Sequence, residues 1–101
     1  MSAPTSQTAG SVLLAEDGVV GTSGAPTRIF SIHMISGAGG AGVLTLCNGT
    51  AATDTIYMEI TGTAASTGIT DNFGRNGFLF PDGCFADFDD NVATLEVTYS
   101  Q

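Results

Sequence analysis

The sequence predicts an all-β fold: a single antiparallel β-sandwich, jelly-roll or immunoglobulin-like, with about 7–8 short strands and no substantial helix. Apolar residues alternate with polar ones in short runs, which is typical of strands that bury one face. Turn-forming residues, among them 14 glycines, separate these runs. The i, i+3, i+4 recurrence of an amphipathic helix is not sustained over ten residues anywhere in the chain.

The length predicts one domain, since 101 residues fall within the usual size of a single domain, about 100–150 residues. Residues 1–10 and 61–70 are rich in Thr, Ala, Ser and Gly, so we expect them to be the least ordered. We expect residues 1–24 to form an N-terminal arm plus a hairpin that docks on neighbouring subunits. Residues 25–101 then form the β-sandwich domain.

Four strands are predicted in the first half of the chain. Ser11–Ala15 and Val19–Thr22 flank Glu16-Asp17-Gly18 and are expected to pair as a hairpin. Thr27–Ser36 alternates most clearly, with Phe30, Ile32 and Met34 on one face and Ile29, Ser31, His33 and Ile35 on the other. Val43–Cys47 follows, and Asn48-Gly49 after it is the signal of a two-residue type I′ hairpin turn.

Four further strands are predicted in the second half. They are Thr55–Thr61, Gly77–Phe80, Cys84–Phe88 and Ala93–Tyr99, with turns at Pro81-Asp82-Gly83 and Asp89-Asp90-Asn91. Taking one face of every strand gives the expected core: Phe30, Ile32, Met34, Leu44, Leu46, Ile56, Met58, Ile60, Phe78, Phe80, Phe85 or Phe88, Leu95, Val97 and Tyr99.

The charge of the chain excludes several classes of partner. Ten acidic residues face two arginines and no lysine, which gives a formal net charge of −8. A nucleic-acid or anionic-membrane partner requires a basic surface, which Arg28 and Arg75 cannot provide. No run of about 18 apolar residues is present, and residues 1–10 lack the features of a secretory signal. We therefore expect no nucleic-acid partner, no membrane and no small-molecule substrate.

Cys47 and Cys84 are too few for a disulfide-rich scaffold, and each lies in an alternating apolar run. Buried reduced thiols are the favoured interpretation, and a Cys47–Cys84 bridge is the alternative. Since His33 is the one histidine and no CxxC spacing occurs, a zinc site is disfavoured.

Three other motifs suggest chemistry without the context that chemistry requires. Gly37–Gly42 matches G-x-G-x-x-G, but a strand pattern follows it instead of a helix, so we interpret it as a hairpin loop. Asp87, Asp89 and Asp90 offer calcium ligands without the glycine and glutamate of an EF-hand loop, so an acidic turn is favoured over a calcium site. His33 has no nucleophile at a recognisable spacing. We predict no catalysis, no cofactor and no metal.

Two segments are candidate interfaces. Phe73, Arg75 and Asn76 place an aromatic ring beside one of the two cations, a combination typical of binding hot spots. The N-terminal stretch that includes Thr5, Ser6 and Val12 is an extended arm that can add a strand to a neighbour's sheet.

Short hydrophobic segments recur in a recognisable order between residues 25 and 99. They are Ala25-Pro26-Thr27-Arg28-Ile29, Val43-Leu44-Thr45-Leu46 after the glycine loop, Ile56-Tyr57-Met58-Glu59-Ile60, Gly77-Phe78-Leu79-Phe80, Gly83-Cys84-Phe85-Ala86 and Val97-Thr98-Tyr99. In this order the chain resembles small virion structural proteins of tailed bacteriophages, including marine and cyanobacterial phages. The resemblance implies a β-sandwich that attaches to a capsid or tail without an assigned enzymatic activity.

Together these observations predict a virion structural protein that decorates or cements the capsid. Its expected partners are the major capsid protein and copies of itself, and its expected location is the virion, after assembly in the host cytoplasm. The alternatives are a structural module of the tail or head–tail joint and an adhesive module that binds host glycans.

Overall fold

A computed structural model describes residues 9–101 of the chain and contains nine β-strands and no helix in that range. No segment of residues 9–101 is therefore a helix able to span a membrane. The strand bounds are β1 Ala9–Leu14, β2 Gly18–Val19, β3 Thr27–Ser36, β4 Val43–Asn48, β5 Thr55–Thr61, β6 Gly68–Asn72, β7 Phe78–Phe80, β8 Cys84–Phe88 and β9 Val92–Ser100.

The strands form two antiparallel sheets packed as a sandwich, which confirms the predicted fold class. Sheet A has the order β1-β9-β3-β6, with β7 also paired to β3, and sheet B has the order β2-β8-β4-β5. The chain doubles back at the β4–β5 hairpin, so β1, β2, β3 and β4 pair with β9, β8, β6/β7 and β5. These pairs form one long two-stranded ribbon, and the β3–β9 and β4–β8 pairings roll this ribbon into the sandwich. Of the two predicted sandwich types, the topology is the jelly roll.

The core lies between the sheets and is made of alternate residues of the central strands. Eight members of the predicted core are buried: Ile32, Met34, Leu44, Leu46, Ile60, Phe80, Leu95 and Val97. Met58, Phe88 and Tyr99 are partly buried against them. Buried residues that the sequence pattern missed include Val20, Ile29, Ala86 and Val92, whereas Cys47 and Cys84 are buried as predicted.

Two predicted hairpins are wrong because the chain crosses between sheets where hairpins were expected. β1 pairs with β9 in sheet A and β2 pairs with β8 in sheet B, so Glu16-Asp17-Gly18 connects the two sheets. The Gly37–Gly42 loop likewise leads from β3 in sheet A to β4 in sheet B. Both connections follow from the rolling of the ribbon, which places β1 and β3 in sheet A and β2 and β4 in sheet B.

The Asn48-Gly49 turn is also not the predicted two-residue turn. β4 and β5 do form a hairpin, but its loop spans residues 49–54. Asp54 Oδ2 accepts hydrogen bonds from the backbone amides of Thr50 at 2.8 Å and Ala51 at 3.0 Å, which closes the longer loop. The backbone amide of Gly49 donates to Gly83 O at 2.8 Å, which draws this residue away from a tight turn.

A bulge in β3 changes which residues face the core. The β3–β9 register shifts between Ile29 and Ser31, so Phe30 is the extra residue. Ile29 is fully buried on the same side as Ile32 and Met34, whereas Phe30 is only half-buried. The predicted assignment of Phe30 to the core face and Ile29 to the outer face is therefore wrong for the part of β3 before the bulge.

A second bulge has the same effect in β5. Leu46 lies opposite Met58 and Cys47 lies opposite Ile56, so Tyr57 is the extra residue of β5. Ile60 is 8 % exposed and faces the core, whereas Ile56 is 60 % exposed. The predicted inward orientation of Ile56 is wrong, and Phe78, also predicted inside, is 38 % exposed at the neighbouring edge.

The structure contains one strand, β6, in a stretch that was predicted to be among the least ordered. β6 pairs with β3 from Ser31↔Asn72 to Ile35↔Gly68. Ile69 is its one residue that packs against the core. Backbone pairing with the long strand β3 thus stabilises a strand in a segment whose composition does not predict one.

Candidate functional site

Both cations of the chain line the same concavity on the surface of the sandwich. This concavity has a volume of about 620 Å³, and its lining residues are Arg28, Phe30, Arg75 and Asn76. The concavity therefore brings together the two arginines of a protein whose net charge is −8. We refer to these four residues as the arginine concavity.

Local backbone geometry brings the two arginines together. Arg28 lies on β3, and Arg75 lies in the β6–β7 loop, where the Gly77 amide donates to Gly74 O at 3.1 Å. Gly74 at φ 83° and Gly77 at φ 66° both adopt left-handed backbone conformations that favour glycine. A Cβ on Gly77 would lie 2.8 Å from Arg28 Cγ. The loop can therefore pack closely on the arginine only because residue 77 is glycine.

Two hydrogen bonds fix this loop against β3. The Phe73 amide donates to Phe30 O at 2.9 Å, and Arg28 Nη1 donates to Asn76 O at 2.8 Å. The extra residue Phe30 places its ring in the concavity lining. The bulge that disturbs the core pattern thus also helps to build the site.

The structure separates the three residues that the sequence indicated as one interface segment. Arg75 and Asn76 are exposed and line the concavity, whereas Phe73 is half-buried and packs against the core. Phe73 is thus not an exposed aromatic anchor. The sequence analysis did not predict Arg28 and Phe30 as members of the site. The one available signal was that Arg28 is the other of the two arginines in the chain.

A second surface feature is an apolar edge where the two sheets meet on one side. It consists of Ile56 and Tyr57 on β5 and of Phe78 on β7, which are 60 %, 38 % and 38 % exposed. The ring centroids of Tyr57 and Phe78 are 6.1 Å apart, and that of Tyr57 is 5.3 Å from the buried ring of Phe80. Leu79 lies opposite Arg28 in the β7–β3 register and therefore faces the other side of sheet A from Phe78. We call Ile56, Tyr57 and Phe78 the edge patch.

The N-terminal interface candidates fall partly outside the described residues. Thr5 and Ser6 precede residue 9, whereas Val12 lies in β1, half-buried opposite Val97 of β9. The described part of the predicted arm is therefore an edge strand of its own sheet. Docking of the first residues on a neighbour stays a prediction.

The residues considered for metal and catalytic chemistry are dispersed or engaged in structural contacts. His33 Nδ1 is 2.8 Å from the Thr70 hydroxyl on the exposed face of sheet A. Asp89 Oδ1 accepts from the Asn91 amide at 2.9 Å, as expected for the predicted turn. Within residues 9–101, no three His, Cys, Asp or Glu side chains are grouped in a way that could hold a metal ion.

Asp17 and Asp87 form a close carboxyl pair between the β1–β2 connection and β8. Asp17 Oδ1 accepts from the Phe88 amide at 2.8 Å. Desolvation by burial, together with the charge and hydrogen bonding of Asp17, raises the pKa of Asp87 above its ordinary value. The raised pKa of Asp87 thus reflects first the loss of hydration and then the close approach of the Asp17 carboxyl group.

Cys47 and Cys84 are free and buried. Burial raises the pKa of the Cys84 thiol to about 12. Burial also raises the pKa of Cys47, and the charges of Asp87 and Asp54 add to this effect. Neither environment generates a reactive thiolate at neutral pH.

The sequence matches no protein-family model and no curated protein. Among solved structures, the coat protein of tobacco streak virus is similar over 100 % of this chain and 90 % of that one, with 12 % sequence identity and a TM-score of 0.42. Since a TM-score below 0.5 does not establish a shared topology, this likeness implies nothing about the function of the chain.

Proposed function

We propose that the chain is a structural protein of a tailed-phage virion that decorates or cements the capsid through contacts with the major capsid protein and with copies of itself. The observation that carries this proposal is the edge patch, where three large apolar side chains are exposed at the meeting edges of the two sheets. Exposed apolar residues that occur together are typical of protein interfaces.

Two further properties support a role in assembly. Charged residues make up 12 % of the chain, compared with roughly 25–35 % on the surfaces of free small domains. β5 ends the order of sheet B, so its outer backbone groups are available to a neighbouring strand within the structure as described. Jelly rolls occur both in viral capsids and in lectin domains, so the proposal is argued from the surface and not from the fold.

The edge patch gives a direct test with a matched control. Ile56→Ser removes an apolar side chain that is 60 % exposed in the patch, whereas Leu13→Ser removes one that is 67 % exposed on β1, the edge of sheet A opposite β7. We expect Ile56→Ser to weaken retention on purified virions about tenfold, the effect of losing about 1.4 kcal/mol of apolar contact. Leu13→Ser should leave retention unchanged. Equal retention of both variants would show that the patch is not the attachment surface.

A glycan-binding adhesive module is the second candidate, because the contacting rings of Tyr57 and Phe78 are both partly exposed. Aromatic faces of this kind can stack on sugar rings. Binding of the isolated protein to a glycan array, lost in Tyr57→Ala, would favour this function over capsid attachment. A virion location with only a few copies would instead favour the tail or the head–tail joint.

A further inference from the structure

The arginine concavity places two positive charges at one surface position, although their mutual repulsion is unfavourable. The chain has two cations in total, and both line this concavity. Arg28 Nη1 is directed to a backbone carbonyl, Asn76 O, and not to a carboxylate. An anion placed between the two guanidinium groups would relieve the repulsion between them.

The available donors match a planar oxyanion. A guanidinium group carries five N–H donors, and the bond to Asn76 O occupies one of those on Arg28. This bond orients the side chain and leaves other donors for a paired, two-bond contact with a carboxylate. The Asn76 side chain supplies a neutral amide, and Phe30 adds an apolar side chain to the lining.

The charge of the whole chain restricts the source of this oxyanion. A nucleic-acid backbone would bring many phosphates towards a surface of net charge −8. A second copy would likewise bring a net charge of −8, so long-range repulsion disfavours it as the occupant of this concavity, whereas the contacts between copies proposed above involve other surfaces. A single acidic side chain on a different protein satisfies the concavity with the least long-range repulsion.

We propose that the arginine concavity binds the carboxylate of an Asp or Glu side chain on the protein to which this chain attaches. This inference rests on the proposed function and adds to it a defined polar contact, separate from the edge patch. Arg28 and Arg75 bind the carboxylate from two sides, and the Gly74–Gly77 turn holds Arg75 in position.

Because the chain has only two arginines, the Nε–Hε region of its ¹H–¹⁵N NMR spectrum should contain two arginine signals. The full-length protein is titrated with N-acetylglutamate α-amide, which carries one side-chain carboxylate, and in parallel with inorganic phosphate and with sodium chloride at the same ionic strength. We expect both arginine signals to shift together and to saturate with the glutamate compound, while chloride produces no saturation.

Substitutions of Arg75 test the geometry of the contact. Arg75 is exposed in its loop, so Arg75→Gln is expected to keep the denaturation midpoint of the wild type. It should abolish the saturable shift of the Arg28 signal. Arg75→Lys keeps the charge but not the paired donors, so it should restore weaker binding.

Four results of these NMR experiments would overturn the inference: no saturable shift with the glutamate compound, binding of phosphate at least tenfold tighter than that of the carboxylate, a response in Arg75→Gln equal to the wild type, or shifts that appear on concentrating the protein alone and vanish in Arg75→Gln. The last result would identify a second copy as the occupant.

Retention of Arg75→Gln on virions completes the test. We expect at least a tenfold loss, and undiminished retention would refute this inference while leaving the proposed function intact. Absence of the wild-type chain from virions would refute the proposed function, and the titration would still report on the site.

Discussion

The bulge at Tyr57 makes a quantitative prediction about two isoleucines of the same strand. Ile56 and Ile60 occupy positions that a simple alternation places on one face of β5. In the structure Ile60 is 8 % exposed and Ile56 is 60 % exposed, because the extra residue turns Ile56 outward. We therefore expect Ile60→Ala and Ile56→Ala to differ strongly in their effects on stability.

The size of the difference follows from burial. An Ile→Ala change removes three side-chain carbons, and about 0.8 kcal/mol for each buried carbon gives about 2.4 kcal/mol for a fully buried side chain. Almost all of this applies to Ile60, and an incompletely collapsed cavity raises the loss to about 2–4 kcal/mol. Ile56 is largely in water and leaves no cavity, so its loss is about 1 kcal/mol or less.

Urea unfolding of the purified variants, followed by circular dichroism, measures both losses. Both substitutions make the same chemical change on the same edge strand, so Ile56→Ala is the control for Ile60→Ala and the two differ chiefly in burial. Equal losses at the two positions would show that β5 alternates without a bulge. A larger loss at Ile56 would contradict the described packing of the strand altogether.

Three further predictions follow from the site and its surroundings. Gly77→Ala should lose about 1–2 kcal/mol of stability because its backbone is left-handed, and more because the added Cβ contacts Arg28 Cγ. Gly74→Ala, whose added Cβ has nothing within 4 Å, should lose only the backbone contribution, and equal unfolding midpoints in urea would contradict the tight packing at residue 77. Cys84, with its pKa raised to about 12, should resist iodoacetamide at neutral pH until urea unfolds the protein, as intact-mass spectrometry would show, and prompt labelling of the native state would refute its burial. Asp87→Asn should stabilise the protein at neutral pH, because a carboxyl group whose pKa is raised on folding destabilises the folded state once the pH exceeds that pKa. The gain in stability should disappear below the ordinary aspartate pKa of about 3.9, and a gain that does not depend on pH would contradict the role of ionisation.

The sequence pattern was sufficient to predict most of the fold. Thr27–Ser36 and Thr55–Thr61 were predicted with the bounds that the structure has, because alternating β-branched and aromatic residues end there at turn residues. The Pro81-Asp82-Gly83 turn was confirmed, with Gly83 at φ 101° and its amide donating to Phe80 O.

Long-range pairing accounts for what the pattern could not predict. A bulge inserts one residue without a local signature, so the orientations of Ile29 and Ile56 depend on the partners β9 and β4. The strand β6 depends on β3 in the same way. Local turn signals cannot distinguish a hairpin from a crossing between sheets, which is why the Glu16-Asp17-Gly18 connection was misassigned.

The candidate site shows the same division. Arg75 and Asn76 were predicted because an aromatic ring, Phe73, lies beside a rare arginine, although Phe73 itself is not an exposed anchor. Arg28 lies 47 positions before Arg75 and joins this loop because β6 and β7, on either side of the loop, both pair with β3. Composition indicated that the cations mattered, but only the tertiary structure shows that they line one concavity.

The most direct test of the proposed role is the number of copies of this chain in purified virions, measured by quantitative mass spectrometry, and their position in the particle, determined by cryo-electron microscopy. A capsid decoration protein should be present at a copy number comparable with that of the major capsid protein, as sandwich-shaped density at repeated lattice positions. A chain that is missing from purified particles and remains a free monomer in the lysate would contradict the proposal.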